Sequence, residues 1–188
     1  MTALRLPRTI RFDPSDTFVF ERAAEPGEWA VPGSFLFWDQ DVAALAGKQR
    51  AAFRAGFVGV RSLGFSTLVV IVEASEAERD EAVEDLARHI HERLGAPDLE
   101  TARAAAREEV EVAASLCRPA VGTLIAMHRT SEEGEIRESF RTLRRRAPGE
   151  DRLHAGLRAF RLIEADDEEQ PEEHVDLLAL QRAGEARR

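Results

Sequence analysis

Five histidines are the first residues to consider for chemistry, because imidazole exchanges protons near neutral pH and binds metal ions. They are His89, His91, His128, His154 and His174. His89 and His91 are two residues apart in a segment of helical spacing, so they project in different directions and do not share one metal ion. No zinc, calcium or catalytic-triad spacing accompanies any histidine. The pattern therefore predicts no metal site, no cofactor and no assembled set of catalytic residues.

The single cysteine, Cys117, lies at the end of an alanine-rich helical segment. The dipole at a helix C-terminus disfavours the thiolate form that nucleophilic cysteines need. We therefore interpret Cys117 as a buried structural residue, and one cysteine excludes an intramolecular disulfide. The glycines between Gly56 and Gly64 fit neither common nucleotide-binding motif.

Four arginines form the most concentrated positive region of the chain, and they are Arg141, Arg144, Arg145 and Arg146. Guanidinium groups bind phosphates and carboxylates, so this run is a candidate site for an anion or for an acidic protein partner. The alternative is a solvated loop that lies against the protein's own acidic segment, residues 164–173. We expect replacement of the last three arginines by serine to leave folding intact.

A second candidate site, for a small ligand, lies on a hairpin predicted over residues 122–143. Its residues are His128, Arg129 and Glu138. Side chains two apart in a strand share a face, so His128 should lie with Thr130, and Arg129 with Met127. This arrangement would suit a small enzyme or ligand-binding domain whose site is assembled from distant residues.

An aromatic cluster near the N-terminus is the remaining candidate, and it consists of Trp29, Phe35, Phe37 and Trp38. The residues either pack in the core of a hairpin or form an exposed apolar patch that serves as an interface. A homodimer through this hairpin or through a sheet edge is one arrangement that the pattern allows.

The elements that position these residues are clearest over residues 65–95. Leu68 to Val72 form an apolar, β-branched run that is typical of a central strand covered on both faces. Ser75 and Glu78 have capping-box spacing, apolar residues follow at helical intervals, and Gly95 stands where a left-handed C-cap is needed. A buried strand that leads into an amphipathic helix is the prediction.

The other elements follow from turn signals and periodicity. Strands are predicted at 9–12, 17–22, 28–38 with a break at Pro32-Gly33, 57–61, 122–130, 136–143 and 157–163. Helices are predicted from Asp39 or Asp41 to Ala55, at 98–117 and at 171–183. The strands at 17–22 and 28–38 should form an N-terminal hairpin, Gly134 should turn the later hairpin, and residues 144–151 should form a polar loop.

Hairpins separated by two consecutive helices are typical of an α+β fold, here a mostly antiparallel sheet with two or three helices packed on one face. We predict one domain over residues 1–165, followed by an acidic linker and C-terminal segment over 166–188. Most of the net charge of −9 comes from seven acids in residues 164–173.

The charge balance and the apolar pattern limit the possible partners and location. The rest of the chain has 28 acids against 26 bases and neither repels nor attracts nucleic acid. The net charge of −9 and the absence of tyrosine disfavour nucleic-acid binding. No apolar run is long enough for a membrane span, and the N-terminus has no secretory signal. We expect a cytoplasmic protein.

Four stretches resemble a family of small bacterial proteins known as a domain of unknown function. They are LPRTIRFDPSDTFVFERAAEPGEWAVPGSFLFW, GFVGVRSLGFSTLVVIVEAS, EEVEVAASLC and GTLIAMHRTSEEGEIRESFRTL, within residues 6–146. The resemblance implies no activity, cofactor or catalytic residue. It does imply an accessory role, through an association with the maturation of redox metalloenzymes such as molybdenum-dependent formate dehydrogenases.

The first hypothesis is therefore a non-catalytic cytoplasmic accessory protein with a protein partner. The alternative is a small enzyme or ligand-binding domain with its site on the hairpin of residues 122–143.

Overall fold

The computed structural model describes residues 3–132, 134–145 and 160–163. Several predictions concern residues outside these ranges: the helix at 171–183, the acidic segment 164–173, and Arg146, His154 and His174. The division into a domain over 1–165 and a tail therefore stays a prediction.

The described residues form antiparallel sheets and helices, which confirms the α+β class. The strands are β1 (Arg5–Ile10), β2 (Ala30–Val31), β3 (Phe57–Gly59), β4 (Phe65–Ser66), β5 (Leu68–Glu73), β6 (Leu124–Glu132), β7 (Glu135–Arg145) and β8 (Phe160–Ile163). The helices are α1 (Ser15–Val19), α2 (Gly47–Ala55), α3 (Glu76–Arg93) and α4 (Leu99–Ser115), with a short 3-10 helix at Ser34–Phe37. One sheet has the order β1-β5-β6-β7-β8 and the other β2-β3-β4.

The hairpin predicted over residues 122–143 is confirmed as β6 and β7. Gly134 has a φ of +86° at its tip, in the left-handed region that glycine adopts without steric cost. β7 continues to Arg145 and pairs with β8, where Arg144 lies opposite Arg161. The prediction of a polar loop from Arg144 onward was therefore wrong for Arg144 and Arg145, because the backbone pairing extends the strand through the basic run.

The starts of α3 and α4 follow the local signals. Ser75 accepts from the backbone N–H of Glu78, whose carboxylate accepts from the Ser75 N–H at 2.9 Å, so the capping box is confirmed. Asp98 caps α4 by accepting from the Thr101 N–H at 2.7 Å. Gly95, between the two helices, has the predicted positive φ of +78°.

The main core lies between the α3–α4 pair and the sheets. Its α4 face consists of Ala102, Ala106, Val110 and Ala113, and these short side chains let the helix approach its neighbours closely. Leu99 has the helical spacing of this inward stripe, but it is 37% exposed because it lies in the first turn of α4, outside the packed residues. β5 is buried through Val69 and Ile71, whereas its other face is only partly buried.

The α2 helix packs elsewhere, where its Phe53 joins an aromatic cluster with Phe20 and Phe37. Of the two or three helices expected to pack on one face, α3 and α4 pack together in the main core. α2 also begins later than predicted. Asp41 accepts from the Ala43 N–H at 3.1 Å and so closes a turn, and α2 starts only at Gly47.

The predicted N-terminal hairpin was wrong. The segment from Thr17 forms part of α1, where the buried carboxylate of Asp16 accepts from the backbone N–H of Thr67 at 3.3 Å. This tertiary contact outweighs the local strand pattern: Phe20 is 1% exposed while Phe18 is 72% exposed, so the two rings do not share a face. The homodimer predicted through that hairpin loses its structural basis.

The strand predicted from Glu28 to Trp38 is much shorter than expected. Only Ala30 and Val31 pair as β2, because Pro32 lacks an N–H and Gly33 turns the chain with a φ of +80°. β1 instead pairs with β5 along its whole length. No helix in the described ranges is long and apolar enough to cross a membrane.

Candidate binding groove

The β6–β7 hairpin brings together two of the three residues predicted for a ligand site. Arg129 and Glu138 are register partners, and Nε of Arg129 donates to Oε1 of Glu138 at 2.8 Å. His128 lies opposite Ser139 and, by strand alternation, on the other face of the hairpin. The predicted strand faces are thus confirmed, and they separate His128 from the ion pair.

Arg129 is completely buried, with 0% exposure. Its two terminal nitrogens donate to the carbonyl oxygens of Phe53 and Pro32, each at 2.6 Å. The guanidinium carbon also lies 5.4 Å from the Phe37 ring centroid and 5.8 Å from that of Phe53. Arg129 therefore joins β6 to α2 and to the chain before the 3-10 helix. It acts as a clamp, meaning that it holds these segments together from inside the protein, where an incoming ligand does not reach it.

Glu109, on α4, belongs to the same charged network. Burial, and after it the negative charge of Glu138, raise its pKa to about 7. The backbone N–H of Gly33 and the Arg129 guanidinium act in the opposite direction, because both stabilise the carboxylate. One buried cation thus stands near two carboxylates, one on α4 and one on β7.

A groove of about 740 Å³ opens beside this network. One wall comes from the chain between β2 and α2, and the other comes from the tip of the β6–β7 hairpin. The lining residues are Ser34, Phe37, Trp38, Gln40, Asp41, Val42, Ala43, Ser131, Gly134, Glu135, Ile136 and Glu138. The volume lies within the range of about 300–1,000 Å³ that is usual for ligand pockets.

The groove combines an exposed aromatic ring with negative charge. Trp38 is 70% exposed, whereas Phe37 beside it is only 5% exposed and belongs to the core. Asp41, Glu135 and Glu138 contribute carboxylates, and no lysine, arginine or histidine is among the lining residues in the described ranges. The predicted aromatic cluster is thus divided: part of it builds the core, and Trp38 lines the groove.

The opposite face of the hairpin is basic. Burial lowers the pKa of His128, and the positive charges of Arg54 and Arg141 lower it further. Arg141 is exposed on β7, and the strand continues through the backbone of Arg144 and Arg145. By strand alternation Arg141 shares a face with His128, whereas Arg129 and Glu138 lie on the other face of the hairpin.

The remaining candidates are separate from the groove. Cys117 is buried, and that burial raises the pKa of its thiol to about 12, in agreement with a structural role. The Nε2 of His89 is 2.8 Å from the Arg61 carbonyl oxygen, and the Nδ1 of His91 is 3.1 Å from that of Ala96. Among the described residues, no group of histidine, cysteine and acidic side chains has the arrangement of a metal site.

Sequence reasoning missed Glu109 and the groove itself. A signal for Glu109 was present: it lies three residues after Ala106 and four before Ala113, which places a carboxylate beside the inward stripe of α4. The groove had no comparable signal, because its walls come from segments about ninety residues apart in the chain.

The fold and the site together define a small α+β protein with an open acidic groove. The chain belongs to DUF6505, a family of unknown function, whose sequence profile matches residues 3–169. No curated protein and no solved structure matches the chain.

Proposed function

We propose that this protein is a non-catalytic accessory protein that binds another protein, and that the groove receives a segment of that partner. The observation that carries the proposal is the exposure of Trp38 at a groove of about 740 Å³. Large aromatic side chains left open to solvent beside a cleft are common anchors in protein interfaces.

The fixed walls of the groove support this proposal. Arg129 ties β6 to the carbonyl oxygens of Phe53 and Pro32 with two hydrogen bonds of 2.6 Å. The 3-10 helix that carries Phe37 begins two residues after Pro32. A preformed site loses less conformational entropy on binding, which favours recognition.

The position of the Glu138 side chain supports a role in binding rather than in proton transfer. Its Oε1 is held by Arg129, so the carboxylate is oriented as a hydrogen-bond acceptor. A small enzyme with its site on the hairpin would need His128 near Glu138, and strand alternation puts His128 on the other face. The maturation of redox metalloenzymes stays the proposed setting for the accessory role, and the arginine run stays a proposed second contact.

Site-specific photocrosslinking in native cells tests the proposal. A crosslinking amino acid at Ala43, which lines the groove, should capture one defined partner that mass spectrometry identifies. The matched control is the same amino acid at Val121, which is 47% exposed but lies beyond the far end of β6. Capture from Ala43 should disappear when Trp38→Ala is added, while the thermal unfolding transition stays in place.

Two results would contradict the proposal. Equal capture from Ala43 and Val121 would show that the contact is non-specific. Capture from Ala43 that survives Trp38→Ala would show that the exposed ring does not anchor the partner.

A further inference from the structure

The groove is lined by carboxylates and an exposed tryptophan, which suits a positively charged ligand. We infer that it binds a basic segment of the partner protein. An arginine or lysine side chain of that segment lies against Trp38, with its charged end beside Glu135 and Glu138. The inference rests on the proposed function and specifies the chemistry of the partner.

Charge is the first argument. Asp41, Glu135 and Glu138 line the groove, and the described part of the lining contains no cationic side chain. Arg129 lies behind Glu138, but its positive charge also acts on the carboxylate of Glu109. When Glu109 and Glu138 are both ionised, the single charge of Arg129 does not cancel the negative charge of the groove. A cation that enters the groove then gains favourable electrostatic free energy.

Free hydrogen-bond acceptors are the second argument. Arg129 occupies only Oε1 of Glu138, and no donor from the described residues reaches Oε2. Asp41 uses Oδ1 to accept from Ala43, which leaves Oδ2 open, and Glu135 has no partner within the described ranges. Guanidinium and ammonium groups form their strongest hydrogen bonds with such carboxylate oxygens.

The exposed ring is the third argument. A cation over a tryptophan face is attracted by the ring quadrupole, and the protein already contains one such pair. The guanidinium carbon of Arg8 lies 3.8 Å from the centroid of Trp29. Trp38 has no comparable partner among the described residues, while Val42 and Ile136 offer apolar contacts for an aliphatic stem.

Charge also argues against two other occupants. The acidic segment 164–173 of this chain carries seven acids and no base, so the carboxylates of the groove would repel it. A second copy of the chain brings a net charge of −9. Like charges brought together cost free energy, so a basic partner fits better than either.

Peptide binding measured by calorimetry tests the inference on the full-length protein. The probe is a blocked pentapeptide of glycine, arginine, leucine, arginine and glycine, compared with versions that carry glutamine or glutamate in place of arginine. We expect the arginine peptide to bind at least about tenfold more tightly than the glutamine peptide, and more weakly at about 0.5 M than at about 0.1 M salt.

Two variants and one control assign the binding to the groove. The double variant Asp41→Asn, Glu135→Gln removes two charges while keeping the acceptor that Asp41 offers to Ala43, and it should weaken the arginine peptide at least about fivefold. Trp38→Ala should weaken it similarly. Glu92→Gln, at an exposed acid near the end of α3, should leave the affinity unchanged.

The outcomes separate the two proposals. Equal binding of all three peptides, or no binding of any, would overturn the basic-segment inference even if crosslinking from Ala43 still captures a partner. Self-association that Trp38→Ala abolishes, measured by sedimentation, would replace the basic segment by a second copy of the chain. No partner captured from Ala43 in the otherwise wild-type protein would instead overturn the proposed function.

Discussion

Arg129 and Glu138 form an ion pair of 2.8 Å across the β6–β7 hairpin, and the two side chains differ in exposure. The Arg129 side chain is 0% exposed, whereas that of Glu138 is 18% exposed and reaches the groove. The pair therefore connects the interior of the protein to its candidate binding surface. Its loss should affect both the stability of the fold and the shape of the groove.

Replacement of Arg129 by methionine should lower the free energy of unfolding by about 3–5 kcal/mol. The change leaves the Glu138 carboxylate without its partner and removes the donors to the Phe53 and Pro32 carbonyl oxygens. Urea unfolding followed by circular dichroism measures the loss. Adding Glu138→Gln should recover part of it, because the unpaired charge is then removed.

The matched control for this substitution is Arg137→Met. Arg137 pairs with Glu132 at 2.8 Å on the surface of the same hairpin, where both side chains are more than half exposed. Surface pairs contribute about 0–1 kcal/mol, so this variant should unfold almost like the wild type. Equal losses for the two variants would contradict the clamp role of Arg129.

The stability of the protein should depend on the ionisation of Glu109. Its pKa is raised from 4.5 to about 7 in the folded state, so the folded protein holds a proton that the unfolded chain has released between these values. The free energy of unfolding should therefore fall as the pH rises from 4.5 to 7, and this contribution should level off above 7. The charges of Glu138, Arg129 and Glu108 act on the pKa of Glu109.

The variant Glu109→Gln tests this dependence, because glutamine resembles the protonated acid. At pH 8 it should be more stable than the wild type by about 1–3 kcal/mol, and at pH 4.5 the two should be equal. Unfolding in urea across this pH range gives the comparison. Glu108→Gln, at the exposed neighbouring position, should retain the slope of the wild type. An unchanged slope in Glu109→Gln would show that another group titrates.

Gly33 should be the glycine that tolerates substitution least among those with positive φ. A Cβ at this position would lie 2.2 Å from Cγ2 of Val58, in the core, and the φ of +80° is strained for other residues. Gly33→Ala should cost about 3 kcal/mol or more in unfolding free energy. Gly27→Ala has a similar φ of +86° but nothing within 4 Å, so its cost should be only about 1–2 kcal/mol. Thermal denaturation of the two variants separates the clash from the backbone strain.

Local signals allowed part of the fold to be predicted. The capping residues Ser75 and Asp98 determine the starts of α3 and α4 through hydrogen bonds three residues away, and such contacts can be read directly from the sequence. Gly134 marks the β6–β7 turn for a similarly local reason. These elements were predicted correctly because few distant residues influence them.

The N-terminal third was predicted poorly because distant residues determine it. Asp16 is buried against Ser66 and Thr67, fifty residues later, so a segment with a strand-like pattern forms a short helix. The groove presents the same difficulty. Trp38 and Glu138 are one hundred residues apart, and only the three-dimensional fold places both on one cavity.

Loss of the arginine run should have different effects on partner capture, depending on whether the partner docks in the groove or on these arginines. Arg144 and Arg145 take part in β7 through their backbones, and serine at these positions keeps those N–H and carbonyl groups. The triple variant Arg144→Ser, Arg145→Ser, Arg146→Ser should therefore fold. Its free energy of unfolding should lie within about 1 kcal/mol of that of the wild type. If the groove is the main docking site, crosslinking from Ala43 should capture the partner undiminished. Loss of capture with an unchanged melting transition would instead assign the docking to the arginine run, as the first hypothesis from the sequence allowed.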